Sequence, residues 1–176
     1  MNKFLRKSAL YILVSMIFAC SCGKSPLGQY GELFEQVMKS DSGVFRGFTL
    51  GASKEEIKSI ETKGLKEEES NDGVDYLFYE LNIDSTTSYT VAYYCPGNKL
   101  NNIETDIYLL NEPQAAQLFE SFKSYFEKKY GKPTIDGDFY LWLAENKNGK
   151  TRIALADESP TYKRGKLTLV IHDADY

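Results

Sequence analysis

The residues able to do chemistry are few and far apart: a single histidine, His172, three cysteines, Cys20, Cys22 and Cys95, and a C-terminal His172-Asp173-Ala174-Asp175 that sets an imidazole beside two carboxylates. A general base or a nucleophile-base pair needs the imidazole within hydrogen-bond reach of its target, so any such mechanism must run through His172. Pairing it with Cys95 would require two distant parts of the chain to meet, and no third residue presents itself to orient the ring. His172, Asp173 and Asp175 offer nitrogen and oxygen ligands that a cation could take. They stand at the end of the chain, however, where such residues are more often solvated surface. Cys20 and Cys22 have a C-x-C spacing but lack the second ligand pair and the histidines of a zinc site. The charge run from Lys66 to Glu69 reads as an exposed strand or turn rather than a calcium loop, and no glycine-rich loop leads into a Lys-Ser or Lys-Thr to cradle phosphate. These residues predict no catalytic site, no metal centre and no cofactor, hence a protein that is not an enzyme.

Cys20 and Cys22 gain meaning from what precedes them. Lys3, Arg6 and Lys7 are followed by a mostly apolar run from Ser8 to Ala19, then by small residues and cysteine. That is the layout of a secretory signal. A spanning helix needs roughly 20 apolar residues, and this run stops well short before turning to Ser, Gly, Lys and Pro. The division expected is therefore a signal peptide over 1–19, an attachment cysteine and tether over 20–27, and one domain over 28–176.

Ile17-Phe18-Ala19-Cys20 resembles the lipobox of bacterial lipoproteins, in which an aliphatic residue three before and a small residue one before the cysteine mark the cleavage point. The resemblance implies that the sulfur of Cys20 carries diacylglycerol and that the new N-terminus is often acylated. Phe18 is bulkier than the motif usually allows, and Cys22 is a second register for the attachment. Cys20 is the favoured anchor. Two or more acyl chains hold a protein stably where one does not, so the chain is expected at a membrane, in the cell envelope. In Gram-negative lipoproteins an aspartate after the cysteine favours the inner membrane, and an early acidic run directs some to the surface. Here Ser21 follows Cys20 and no acid appears before Glu32, which implies an outer-membrane anchor facing the periplasm. Cys22 and Cys95 then remain, and a disulfide between them, the less favoured alternative, would tie the tether to the domain.

Removing Lys3, Arg6 and Lys7 leaves 18 basic residues against all 25 acidic ones and moves the formal charge from −4 to −7. A nucleic-acid partner, which needs a basic footprint, is disfavoured. About 155 residues remain, enough for one domain with its own core.

The elements that would carry these residues follow from periodicity. Leu27, Tyr30, Leu33, Phe34, Val37 and Met38 recur at spacings of three and four and predict one long first helix over 27–38. Ser53 and Glu56 form a capping box at the start of a second, short helix. Alternating runs over 73–83, 88–95 and 99–110, with a shorter one over 65–69, predict antiparallel strands. Asn111 caps a third helix, whose buried face is Leu118, Phe119, Phe122, Tyr125 and Phe126, with Gly131 and Pro133 stopping it. Three more strands follow over 138–145, 150–157 and 166–173. The fold class expected is α+β: an antiparallel sheet of about six to seven strands with helices packed on one face, in two helix-then-strands units.

The stretch from Gly47 to Ile57, "GFTLGASKEEI", resembles the turn-and-helix opening of small periplasmic lipoproteins of the SmpA/OmlA kind and of domains resembling β-lactamase inhibitor protein. "KKYGKP" followed by "DFYLWLAENKNGKTRIALAD" is similar to a pattern of secreted bacterial proteins. These resemblances cover about a third of the chain. They imply a helix-plus-antiparallel-sheet architecture that such proteins use to hold other proteins, with no catalytic residues. The long first helix and the extra strands depart from the compact SmpA/OmlA pattern.

Strand alternation separates the faces. Leu77, Tyr79, Leu81 and Ile83 share one face of their strand. Leu141 and Leu143 oppose Tyr140 and Trp142, and Leu167, Leu169 and Ile171 oppose Thr168, Val170 and His172. If the aliphatic set meets the helices, Tyr76, Phe78, Tyr140 and Trp142 crowd the far face as candidate binding residues, since Tyr and Trp supply stiff contact area with a polar tip. Plain cross-strand cover of a half-solvated sheet remains the competing account. The function expected is a non-catalytic module that binds a protein or envelope component; the alternative is an inhibitor or immunity-type protein that blocks a secreted enzyme or toxin.

Overall fold

The computed structural model describes residues 25–71, 74–146 and 149–175. The leader over 1–19 and both attachment candidates, Cys20 and Cys22, lie outside the described residues. In chain order the elements are α1 (Glu32–Met38), α2 (Lys54–Ile60), β1 (Leu65–Asn71), β2 (Val74–Asn82), β3 (Ser88–Tyr94), β4 (Asn102–Leu109), α3 (Glu112–Tyr130), β5 (Thr134–Asp136), β6 (Phe139–Asn146), β7 (Gly149–Asp157), α4 (Ser159–Tyr162) and β8 (Gly165–Asp173). The strands form one eight-stranded antiparallel sheet in the order β1-β2-β3-β4-β8-β7-β6-β5. Each half is a meander, and the last strand of one half pairs with the last strand of the other, Thr105 opposite Leu169. That is the α+β class and the two-unit order read from the sequence, with eight strands where six to seven were expected. The extra strand is β5, three residues held between Pro133 and Gly137 and too short for alternation to register. It pairs with β6 only through Thr134, Ile135 and Asp136.

The first helix also differs. Leu27 to Met38 is not one helix but a 3-10 turn over Gly28–Tyr30 and then α1, broken at Gly31, whose φ of 105° lies in the region that glycine alone adopts freely. Spacing of apolar residues survives such a break, so periodicity alone does not reveal it.

The three longer helices, α1, α2 and α3, lie on one face, whereas the single turn α4, which falls where the sequence reads as a polar loop, sets Tyr162 over Lys166 at the end of the other. α3 spans the half built from β6, β7 and β8, burying Leu118, Phe119, Phe122, Tyr125 and Phe126. α1 leans on α3 through Phe34 and Phe122, ring centroids 4.8 Å apart in an edge-on contact. α2 begins with the capping box: the Glu56 backbone N–H donates to Ser53 Oγ and the Ser53 N–H to the Glu56 carboxylate. It lies over β1 and β2, where Lys54 and Lys58 both reach Glu68, at 3.1 and 2.8 Å, and Ile57 is buried.

A buried ion pair ties this layer to the sheet. Arg46, in the loop between α1 and α2, donates to both oxygens of Glu61 (Nη2 to Oε2 2.8 Å), to the Val37 carbonyl at 2.8 Å and to the Tyr89 hydroxyl at 2.9 Å. The Tyr93 hydroxyl and Lys39 complete the shell of Glu61. Burial on its own would push the Glu61 carboxyl up. Its bonds to Arg46, Lys39 and Tyr93 outweigh that and hold it at about 2. Among the described residues no helix is long and apolar enough to cross a membrane.

Candidate binding face

The opposite face of the sheet has no helix laid across it, and strand pairing arranges its side chains in rows. One row runs Tyr76, Tyr94, Asn102, His172, Arg152, Leu143. The next runs Phe78, Ala92, Glu104, Val170, Ala154, Leu141, and a third carries Thr90, Asp106, Thr168, Ala156 and Phe139. Ala92 and Val170 are short beside Phe78, Tyr94 and Glu104, and a trough lies among them.

At the β2–β3 end Tyr76 and Tyr94 stack, centroids 6.1 Å apart at 26°. Tyr76 donates its hydroxyl proton to Glu67 Oε2 at 2.5 Å, and Tyr94 donates to Glu104 at 3.3 Å. Burial, then the nearby Glu104 charge, pushes the Tyr94 hydroxyl upward, so it stays a donor at neutral pH. Glu104 also accepts from Asn102 Nδ2 at 2.8 Å. Neither Glu67 nor Glu104 has a cationic partner among the described residues.

The near end of the trough is closed by Lys166, whose ammonium reaches Glu158 at 2.6 Å and Asp106 at 3.3 Å and lies 4.1 Å from the Tyr162 ring centroid. Burial opposes its charge, but the bond to Glu158 overrides it and keeps the ammonium firmly protonated. The Thr168 hydroxyl, 2.7 Å from Asp106 and 2.9 Å from Glu158, has one proton to share between them. Tyr76, Phe78, Ala92, Tyr94, Glu104 and Lys166 are among the residues around a depression of about 300 Å³. Beyond Val170 the surface turns aliphatic and basic, with Leu143 44 % exposed and Arg152 exposed beside it.

The four aromatics expected on one face divide two and two. Tyr76 and Phe78 lie half-buried on the open face. Tyr140 and Trp142 lie on the helix face, because Trp142 pairs with Ile153 and Tyr140 with Leu155, both fully buried. Trp142 is 2 % exposed, its ring 5.3 Å from Phe126, and Tyr140 packs edge-on against Phe119 at 5.1 Å. The inner surface of α3 is aromatic and takes flat rings from β6, which leaves Leu141 and Leu143 outside. A Leu-aromatic alternation is apolar on both sides, so it carries no polarity signal for which side faces in. Tyr94, Glu104 and Lys166 were missed by the sequence reading; strand alternation places Tyr94 opposite Tyr93, but only the pairing with β2 sets it beside Tyr76.

The residues first considered for chemistry are not brought together. The Cys95 thiol is free and fully buried in the core, where burial pushes it up to about 11, whereas His172 lies on the open face with Nδ1 2.7 Å from the Asp173 carbonyl oxygen. Asp173 accepts from the Asp175 backbone N–H. Among the described residues no group of three or more His, Cys, Asp or Glu is placed to hold a metal ion.

Comparison with models of known families, with curated proteins and with solved structures finds no match to this chain.

Proposed function

We propose that this chain is a lipid-anchored, periplasm-facing module that holds a protein partner, or another envelope component, against the open face of its sheet without turning it over. The observation that carries this reading is the sheet face opposite α1, α2 and α3: a Tyr76–Tyr94 stack and Phe78 stand beside a depression of about 300 Å³ that Ala92, Val170, Glu104 and Lys166 also line, with Leu143 and Arg152 farther along the same face. Stiff aromatics around a depression, with polar groups at the rim, are the composition of protein-binding surfaces. Glu67 and Glu104, which have no cationic partner among the described residues, suit a basic group on the partner. Tyr140 and Trp142 belong to the core in this reading and take no part in binding.

The same face supports the second reading, an inhibitor or immunity-type protein, because a broad rigid sheet covers an enzyme surface as readily as it docks an assembly partner. The test is crosslinking in intact cells followed by mass spectrometry of co-purified proteins, comparing wild type, Cys20→Ala and a Tyr76→Ala/Phe78→Ala variant. One envelope partner lost in the face variant and dependent on the anchor is the expected result. A captured secreted enzyme, inhibited on binding, would favour the second reading. Undiminished capture by the face variant would rule out the open face.

A further inference from the structure

We propose that the domain is held with one particular side against the lipid bilayer: the helix-layer edge formed by Pro26 to Tyr30 and the C-terminal half of α3, so that the open sheet face looks away from the membrane. This rests on the reading of Cys20, or Cys22, as the attachment point.

The described chain starts at Ser25, five residues beyond Cys20. A fully extended residue spans at most ~3.6 Å, so Ser25 stays within roughly 18 Å of the anchor however the tether runs. An eight-stranded sheet is about 34 Å wide at ~4.8 Å per strand. A tether of that reach, about half the width of the sheet, leaves from the helix layer and so keeps that layer nearer the membrane than the opposite face.

The entry point is fixed on that layer. The Ser25 hydroxyl donates to Glu35, the Gly28 backbone N–H lies 2.9 Å from the Ser25 carbonyl oxygen, and Gln29 Nε2 donates to the Pro26 carbonyl at 2.7 Å. Leu27 is 4 % exposed, and the Tyr30 ring meets Tyr125 of α3 edge-on at 5.4 Å and Phe34 at 5.2 Å. The first described residues are therefore packed into the domain rather than trailing from it.

The surface there suits phospholipid headgroups. Pro26, Gln29, Tyr30, Asp41, Tyr125, Lys128 and Lys129 line a cleft of about 250 Å³, in which the one carboxylate, Asp41, accepts from the Tyr125 hydroxyl at 2.9 Å and stands against two lysines. Lys129 is held in place by the carbonyls of Asp41 and Gly43, each at 2.9 Å. Lys128 and Lys132 are exposed and form no ion pair among the described residues. Lysines beside an anionic leaflet add attraction that decays within a Debye length, and a tyrosine suits the headgroup level. The occupant of this edge is thus an anionic bilayer, and any soluble partner is left the far face.

The experiment uses the lipidated chain in nanodiscs of phosphatidylethanolamine and phosphatidylglycerol with a gadolinium-chelating lipid, reading paramagnetic broadening amide by amide. Gln29, Tyr30, Lys128 and Lys132 should broaden at least threefold more than Thr90, Val170 and Leu143. Equal broadening of both sets, or stronger broadening of the sheet set, overturns the orientation. In a Lys128→Glu/Lys132→Glu variant the contrast should fall by about half; an unchanged contrast would overturn the lysine contribution. Intact mass of the purified protein reports acylation separately. If Cys20 and Cys22 both prove unmodified the anchor reading fails, and the geometry is then tested on the chain with Cys20 coupled to a maleimide lipid, where the same contrast is required.

Discussion

Trp142 and Tyr76 were expected to work together, and they now demand opposite outcomes from the same substitution. Trp142→Ala empties a site against Phe126 and should cost ~3–5 kcal/mol, as for other buried aromatics, read as a lower urea midpoint with an unchanged denaturant slope. Tyr76→Ala on the open face should stay within about 1 kcal/mol of wild type. Equal losses at the two positions would contradict the face assignment. Glu61 makes a pH prediction. Its carboxyl is held at about 2, below its ordinary value of 4.5, so its stabilising share is fully present above that ordinary value and is lost as pH falls toward 2. Urea midpoints measured from pH 7 down to pH 2.5 should therefore fall at the acid end. Glu61→Gln should lower stability at pH 7 by ~3–5 kcal/mol, because Arg46 is left buried without its anion, and should flatten the acid slope. A slope identical to wild type would take Glu61 out of the acid response.

At the scale of elements, the capping box at Ser53 and Glu56 was legible because its two bonds are local, each group reaching only three residues along the chain. Ser53→Ala should cost ~1 kcal/mol, the usual worth of an N-cap, measured by thermal or urea unfolding. Gly165, at the start of β8, is different. A Cβ there would lie 2.4 Å from the Asn111 carbonyl oxygen and 2.8 Å from Leu109 Cβ. Gly165→Ala should therefore destabilise by ~1–3 kcal/mol through overpacking at the β4–β8 seam. That constraint links residues more than fifty positions apart and leaves no trace in local pattern. β5 escaped for the contrary reason: its three residues are exposed, with Ile135 64 % accessible, so nothing buried selects its composition. The edge strand β1 carries Lys66, Glu67 and Glu68, charges that discourage pairing with another chain's edge.

For the whole molecule, the two halves join so that the long helices cover one face and leave the other open, and the proposed binding uses the open one. In the capture experiment, Tyr94→Ala together with Glu104→Gln should weaken partner recovery with little change in the unfolding midpoint, whereas Leu77→Ala should lower the midpoint and capture together. Recovery unchanged in the first variant would disfavour the Tyr76–Tyr94 end as the binding locus. The α+β class, the order of the three longer helices and of seven strands, the capped helices and the inward face of β2 and β8 were readable from residue types alone; the short α4, in a stretch that reads as a polar loop, was not. There, apolar and polar positions differ, or two residues of known chemistry stand a turn apart. Tertiary structure decided the break at Gly31, the eighth strand, the buried Arg46–Glu61 pair and, above all, the facing of β6. Leu and aromatic side chains alternate along that strand with nearly equal hydrophobicity. Which set turns inward is settled by the shape of what it must pack against, the ring-lined surface of α3, and that surface exists only once residues far apart in the chain have met.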